Sequence, residues 1–272
     1  MPYQLWQLCR ETSMKPILLT DNGSLQPAAT LRLRALADKI SRILGRPVTP
    51  VSVLHSDKID PALLNGTPAA TFEPYARQRH AEGVGELDIL PLFIGPSLAL
   101  TEFLPERAQA LGVRLNMLPT LWSPGNEDAL VELLLDHLKA TGWTPGSGTV
   151  LLCDHGSPIR EVTAAREDLA ARLRQKLNLS TEALLGCAME RRAGPEYAFN
   201  EPMLADAMAR AQGKVVVLML FILPGRHAGP GGDVATLCAQ HAPANVTWQL
   251  SPLLGEHPQL ATILAHNYRS RT

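Results

Sequence analysis

Short stretches rich in apolar or β-branched residues recur along the chain at 16–20, 48–54, 86–94, 113–118, 149–153, 184–189, 214–223 and 246–250, with 149–153 uninterrupted and 214–223 the most apolar. Runs of this length with no polar alternation predict strands buried on both faces of a parallel sheet. Between them the apolar positions take helical spacing. Leu31, Leu33, Leu36, Ile40 and Leu44 form one such face, stopped by Gly45 and Pro47. Helices are predicted over 27–45, 72–81, 102–112, 126–142, 161–177, 200–212, 232–241 and from Pro258 onward, with residues 1–14 an irregular or short helical lead-in. Strands alternating with helices at this rhythm predict an α/β fold built from βα units with right-handed crossovers.

The pattern runs through twice. Asp21-Asn22-Gly23-Ser24 aligns with Asp154-His155-Gly156-Ser157, and Pro91-Leu92-Phe93-Ile94 aligns with Met219-Leu220-Phe221-Ile222. The predicted architecture is a tandem duplication of two βα lobes, 1–143 and 149–272, joined by Thr144-Pro145-Gly146-Ser147-Gly148.

The chemistry is divided unevenly between the halves. His155 follows the strand 149–153, and His227 follows 214–223 inside a glycine-rich loop that opens a helix. Open α/β sheets place their ligands beyond strand carboxyl ends. An imidazole there is a candidate metal ligand or proton acceptor, although one such histidine alone more often closes a turn. Glu190 follows the strand 184–189. The first half has Asn22 against His155, Ala99 against His227 and the region of His55 against Glu190. Two imidazoles suit Co²⁺, Fe²⁺, Ni²⁺ or Zn²⁺, with the carboxylate a third ligand or a proton acceptor. The loop 225–233 also has the look of a phosphate cradle before a helix, without the spacing of the nucleotide fingerprints.

Composition narrows the classes. A formal net charge of −1 argues against a general nucleic-acid binder. Cys9, Cys153, Cys187 and Cys238 have no paired spacing and read as small buried hydrophobes. The first ten residues lack the basic head and apolar core of a signal peptide, and the longest apolar run is too short for a bilayer. A cytoplasmic protein without membrane contact is expected.

His-Gly-Ser after the strand 149–153, Met-Glu-Arg-Arg at 189–192, Pro-Gly-Arg-His with Gly-Gly-Asp at 224–233, and Leu-Gly-Glu-His-Pro at 254–258 resemble the sirohydrochlorin chelatases of the cobalamin and sirohaem pathways, the CbiX/SirB type of class II chelatase. The resemblance is strong from 149 to 260 and faint before 125. It implies a chelatase-like fold with the active-site cleft between two lobes. The implied activity is insertion of Co²⁺ or Fe²⁺, with Ni²⁺ or Zn²⁺ as further candidates, into a sirohydrochlorin-type tetrapyrrole, a lyase-type reaction in which the metal is substrate and no cofactor is tightly bound. By motif position, His155 and His227 are the metal-handling pair and Glu190 the acidic residue. Arg191, Arg192 and Arg226 are the nearest cations for the substrate's carboxylates, and Ser157 is a hydrogen-bond donor to them or a helix cap. Asp233, at a helix start, reads as a cap. One departure stands out: some two-lobed members keep their histidines in the first lobe, whereas here only the second has both. The expected assembly is a monomer or a homodimer. The competing readings are a non-catalytic carrier or sensor of metal or tetrapyrrole, and a phosphate- or nucleotide-binding enzyme working through 225–233.

Overall fold

The computed structural model describes residues 15–229 and 231–271. The lead-in 1–14 and Cys9 lie outside the described residues. Eight strands among the described residues form two parallel four-stranded sheets. In the first, β1 (Ile17–Thr20), β2 (Val48–Pro50), β3 (Glu86–Pro91) and β4 (Arg114–Met117) take the order β2-β1-β3-β4. In the second, β5 (Thr149–Asp154), β6 (Leu184–Ala188), β7 (Lys214–Met219) and β8 (Thr247–Leu250) take the order β6-β5-β7-β8. The central strands β1, β3, β5 and β7 are buried almost throughout, as their largely apolar sequences require.

Hydrogen bonds at the strand ends fix the correspondence between lobes. Val53 N donates to Asp21 O where Met189 N donates to Asp154 O, and Leu54 N donates to Asn22 O where Glu190 N donates to His155 O. Leu121 N donates to Phe93 O where Leu254 N donates to Phe221 O. Asn22 and Ala99 therefore stand at the positions of His155 and His227. The residue opposite Glu190 is Leu54 rather than its neighbour His55.

The helices are α1 (Pro27–Leu44), α2 (Phe72–Ala81), α3 (Leu104–Ala110), α4 (Glu127–Ala140), α5 (Arg160–Leu177), α6 (Leu204–Ala209), α7 (Asp233–His241) and α8 (Leu260–Arg269). Two of them cross between the lobes. Helix α4 packs on α5 and β7 of the second lobe, and α8 packs on α1 and β3 of the first. Composition accounts for this. Leu130, Val131, Leu133, Leu134, Leu135 and Leu138 bury more than one face of α4, and a helix apolar on several faces must lie inside. One hydrophobic core consequently runs through both lobes, from Leu19 and Leu36 through Leu134 to Leu152 and Leu264. Trp122 Nε1 donates across the junction to Asp168 Oδ2 at 2.9 Å, and Asn126 to Asn267 Oδ1.

Two helices are shorter than their patterns predict. The segment expected as one helix over 200–212 has a 3₁₀ turn at Pro195–Asn200 and begins its α-helix only at Leu204. Pro202 disfavours helical geometry at Glu201, so the helix starts after it. The segment 102–112 opens as a π-turn over Ala99–Phe103 before α3.

Candidate metal-handling cleft

Gly156 explains why His155 stands where it does. Its φ is +89°, and a Cβ there would lie 1.9 Å from Glu190 O. Only glycine allows the turn after β5 to lie this close against the end of β6. Gly23 repeats the arrangement against Leu54 O in the first lobe, so the backbone cradle survives there without the imidazole.

The turns after β5 and β7 bring His155 and His227 together. Their rings are edge-on, 4.8 Å between centroids and 77° apart. Each has one nitrogen committed. His155 Nδ1 bonds Gly156 O at 3.0 Å, and His227 Nδ1 bonds an Asp233 carboxylate oxygen at 2.7 Å. Both partners are acceptors, so Nδ1 carries the proton and the lone pair of a neutral ring lies on Nε2. His155 Nε2 faces Glu190 Oε1 at 3.3 Å. Two acceptors face each other there, and either a proton or a cation between them relieves their repulsion.

The helix-start position of Asp233 predicts a cap, and the structure gives its carboxylate a different partner. Gly232 is the capping residue of α7, and the Asp233 carboxylate is taken by His227 and by Arg226 Nε at 3.4 Å. The same geometry tells against a phosphate cradle. At the start of α7, Asp233 N and Val234 N already donate to Arg226 O and His227 O, and a carboxylate sits beside them.

A cavity of about 500 Å³ opens beside His155, lined from both lobes by Asn22, Phe93, Ile94, Gly95, Ser97, Leu98 and Ala99 on one side and by residues 154–158, Val162, Arg192 and Leu220 on the other. Two cavities of about 640 Å³ lie elsewhere and contain neither histidine. Of the polar residues expected at the site, Ser157 and Arg192 reach the cavity wall. The Ser157 hydroxyl accepts from Ile159 N at 3.0 Å, tightening the turn before α5. Arg191 turns to Glu201 at 3.1 Å and to the carbonyls of Arg192 and Gly194. Arg226 is 81% exposed at the rim. Leu54, in the place of Glu190, is exposed.

The cysteines beneath the site are buried thiols. A hydrogen bond with Cys187, together with burial, holds Cys153 well above the usual thiol range, and burial pushes Cys238 up to about 12.

Comparison with known proteins gives the geometry a family. Residues 149–271 match the CbiX family model. The match spans the second lobe, the one that carries both histidines. Across both lobes the chain is similar in structure to SirB from Bacillus subtilis with Fe³⁺, with a TM-score of 0.63 at 18% identity, covering 94% of this chain and 95% of that one. It is also similar to CbiX, described as the terminal enzyme for siroheme biosynthesis in denitrifying bacteria, with a TM-score of 0.62 at 18% identity over 94% and 98% of the two chains. A third likeness is to the sirohydrochlorin chelatase SirB from Bacillus subtilis subspecies spizizenii in complex with cobalt, with a TM-score of 0.61 at 18% identity over 94% and 95%. At this identity the likeness establishes the two-lobed chelatase fold. No curated protein sequence matches the chain. No helix among the described residues is long and apolar enough to cross a membrane.

Proposed function

We propose that this protein inserts a divalent metal ion, Co²⁺ or Fe²⁺, into sirohydrochlorin or a closely related metal-free tetrapyrrole. The observation that carries the reading is the pair of imidazoles within the lobe that matches the CbiX family model, each with Nδ1 committed, beside a cleft lined by both lobes. Among the similar structures, one is SirB with Fe³⁺ and another is the sirohydrochlorin chelatase SirB in complex with cobalt.

The chemistry follows from the donors. Metal insertion displaces two pyrrole N–H protons. The Nε2 lone pairs of His155 and His227 take the incoming ion as it loses water, while the Glu190 carboxylate beside His155 offsets its charge. As the ion leaves for the macrocycle, the freed imidazoles and carboxylate are the acceptors nearest the departing protons. Asp233 keeps His227 in the tautomer this requires and raises its basicity as a ligand. Arg192 and Ser157 on the cleft wall, with Arg226 at the rim, meet the peripheral carboxylates of the substrate. The first lobe supplies the opposing wall without ligands of its own.

The test is an absorbance assay with purified protein, sirohydrochlorin and Co²⁺, Fe²⁺, Ni²⁺ or Zn²⁺ in turn. Metallated product accumulating over many cycles supports a chelatase. Binding that stops at one equivalent of metal, with no product, supports a carrier instead.

A further inference from the structure

Arg166 on α5 has no exposed surface, a rare state for arginine unless it is fully paired. Its Nη1 donates to Asp154 Oδ1 at 3.0 Å, its Nε to Glu167 Oε1 at 2.9 Å and its Nη2 to Asn200 O at 3.1 Å. The same Asp154 oxygen accepts from Gly156 N at 3.1 Å. Asn200, equally buried, accepts from Ser157 N at 2.9 Å and donates back to Ser157 O at 2.9 Å. Thr163 Oγ1 donates to Asn200 Oδ1 at 3.3 Å. His155 thus stands in a turn whose backbone is gripped on its far side, at Gly156 and Ser157, by side chains that Arg166 ties together.

Stability alone is a poor reason for this network. Replacing a buried ion pair by apolar side chains is often neutral or stabilising, because desolvation offsets the attraction. The chain already contains that replacement. Helices α1 and α5 are both 18 residues long and correspond position for position, which sets Leu33 against Arg166. Leu33 is buried in the common core. Asp21, against Asp154, has Ser52 and Gly23 as partners and no cation among the described residues, although each of the two carboxylates keeps one buried oxygen without a partner. The residue after it is Asn22, with no imidazole to hold. The network accompanies the histidine and is absent where the histidine is absent.

We propose that Arg166 and Asn200 are positioning residues for His155, holding the turn 154–158 so that its imidazole keeps its edge-on geometry with His227. This rests on the reading of those two rings as the metal-handling pair. The test variant is Asp154→Asn with Arg166→Met, which removes both buried charges and leaves an acceptor for Gly156 N. Co²⁺ is titrated against the protein alone by visible absorption, macrocycle binding is followed by fluorescence, and metallation is measured at varied metal. The expected result is a loss of about 10–100-fold in Co²⁺ affinity and in kcat/KM for metal, with a much smaller change in macrocycle affinity, since Ser157 is one of several groups on the cleft wall. Arg166→Lys, which keeps the charge but loses the fork to Asn200, falls between. Should circular dichroism show the double variant unfolded, Asn200→Ala is read by the same measurements. Wild-type Co²⁺ affinity in the variant, or a parallel loss of macrocycle binding, would overturn the assignment. A wild-type protein that binds Co²⁺ and macrocycle without metallation would instead overturn the chelatase reading, and the Co²⁺ titration would still judge the network.

Discussion

His155 and His227 lie 72 residues apart in sequence and 4.8 Å apart ring to ring. The sheet order places β5 and β7 side by side, so the turns that follow them open at the same edge. Each ring is then aimed by an acceptor at its own Nδ1: a neighbouring carbonyl for His155, the Asp233 carboxylate for His227.

The Asp233 contact leads to the first prediction. Asp233→Ala leaves His227 free to rotate and to exchange tautomers. Metal affinity should fall about 10–100-fold, the usual cost of losing such a partner. Isothermal titration with Co²⁺ checks it, and an unchanged affinity would make Asp233 a stabiliser of α7 only.

Glu190→Gln keeps the shape of the side chain and removes the charge facing His155 Nε2. Metallation should slow by about tenfold or more if the carboxylate assists metal delivery or proton removal, while macrocycle binding holds. Steady-state rates at saturating macrocycle measure this. An undiminished rate would leave Glu190 without a part in the reaction.

Much of the fold was legible because the central strands β1, β5 and β7 are dominated by apolar or β-branched residues and alternate with helical spacing. The duplication was legible because Asp-Asn-Gly-Ser and Asp-His-Gly-Ser keep one backbone turn with different side chains. The two imidazoles followed from their place after strands. What escaped was non-local. Nothing in the periodicity of α4 says which lobe its several apolar faces will meet. Arg166 reads as one more polar position on an amphipathic helix until Asp154 and Asn200 surround it. The Leu54 correspondence to Glu190 depended on a one-residue register that only the strand-end hydrogen bonds resolve.

Asp21 supplies a pH prediction. Burial raises its carboxyl pKa in the folded state, against smaller opposing effects from Ser52 and Gly23. A raised carboxylate pKa means that ionisation costs more folded than unfolded, so the penalty is absent at low pH and grows as pH rises through the unfolded and then the folded value. Asp21→Asn should therefore gain stability over wild type as pH is raised, with little charge-related gain well below the ordinary carboxyl value of 3.8 and about 1 kcal/mol or more at pH 8. Urea melts across that range measure it. A difference that shrinks as pH rises would show that Asp21 has an ionic partner.

The most direct measurement is multiple-turnover metallation of sirohydrochlorin by wild-type protein and by the His155→Ala/His227→Ala double variant, with thermal melts alongside. Both side chains are partly exposed, His155 at 47% and His227 at 32%, so their removal should leave the melting temperature within a few degrees of wild type. The predicted result is many turnovers per wild-type molecule, and a rate on the order of 10²-fold lower or less in the double variant. A folded double variant that metallates at the wild-type rate would contradict the central claim that these two imidazoles handle the metal.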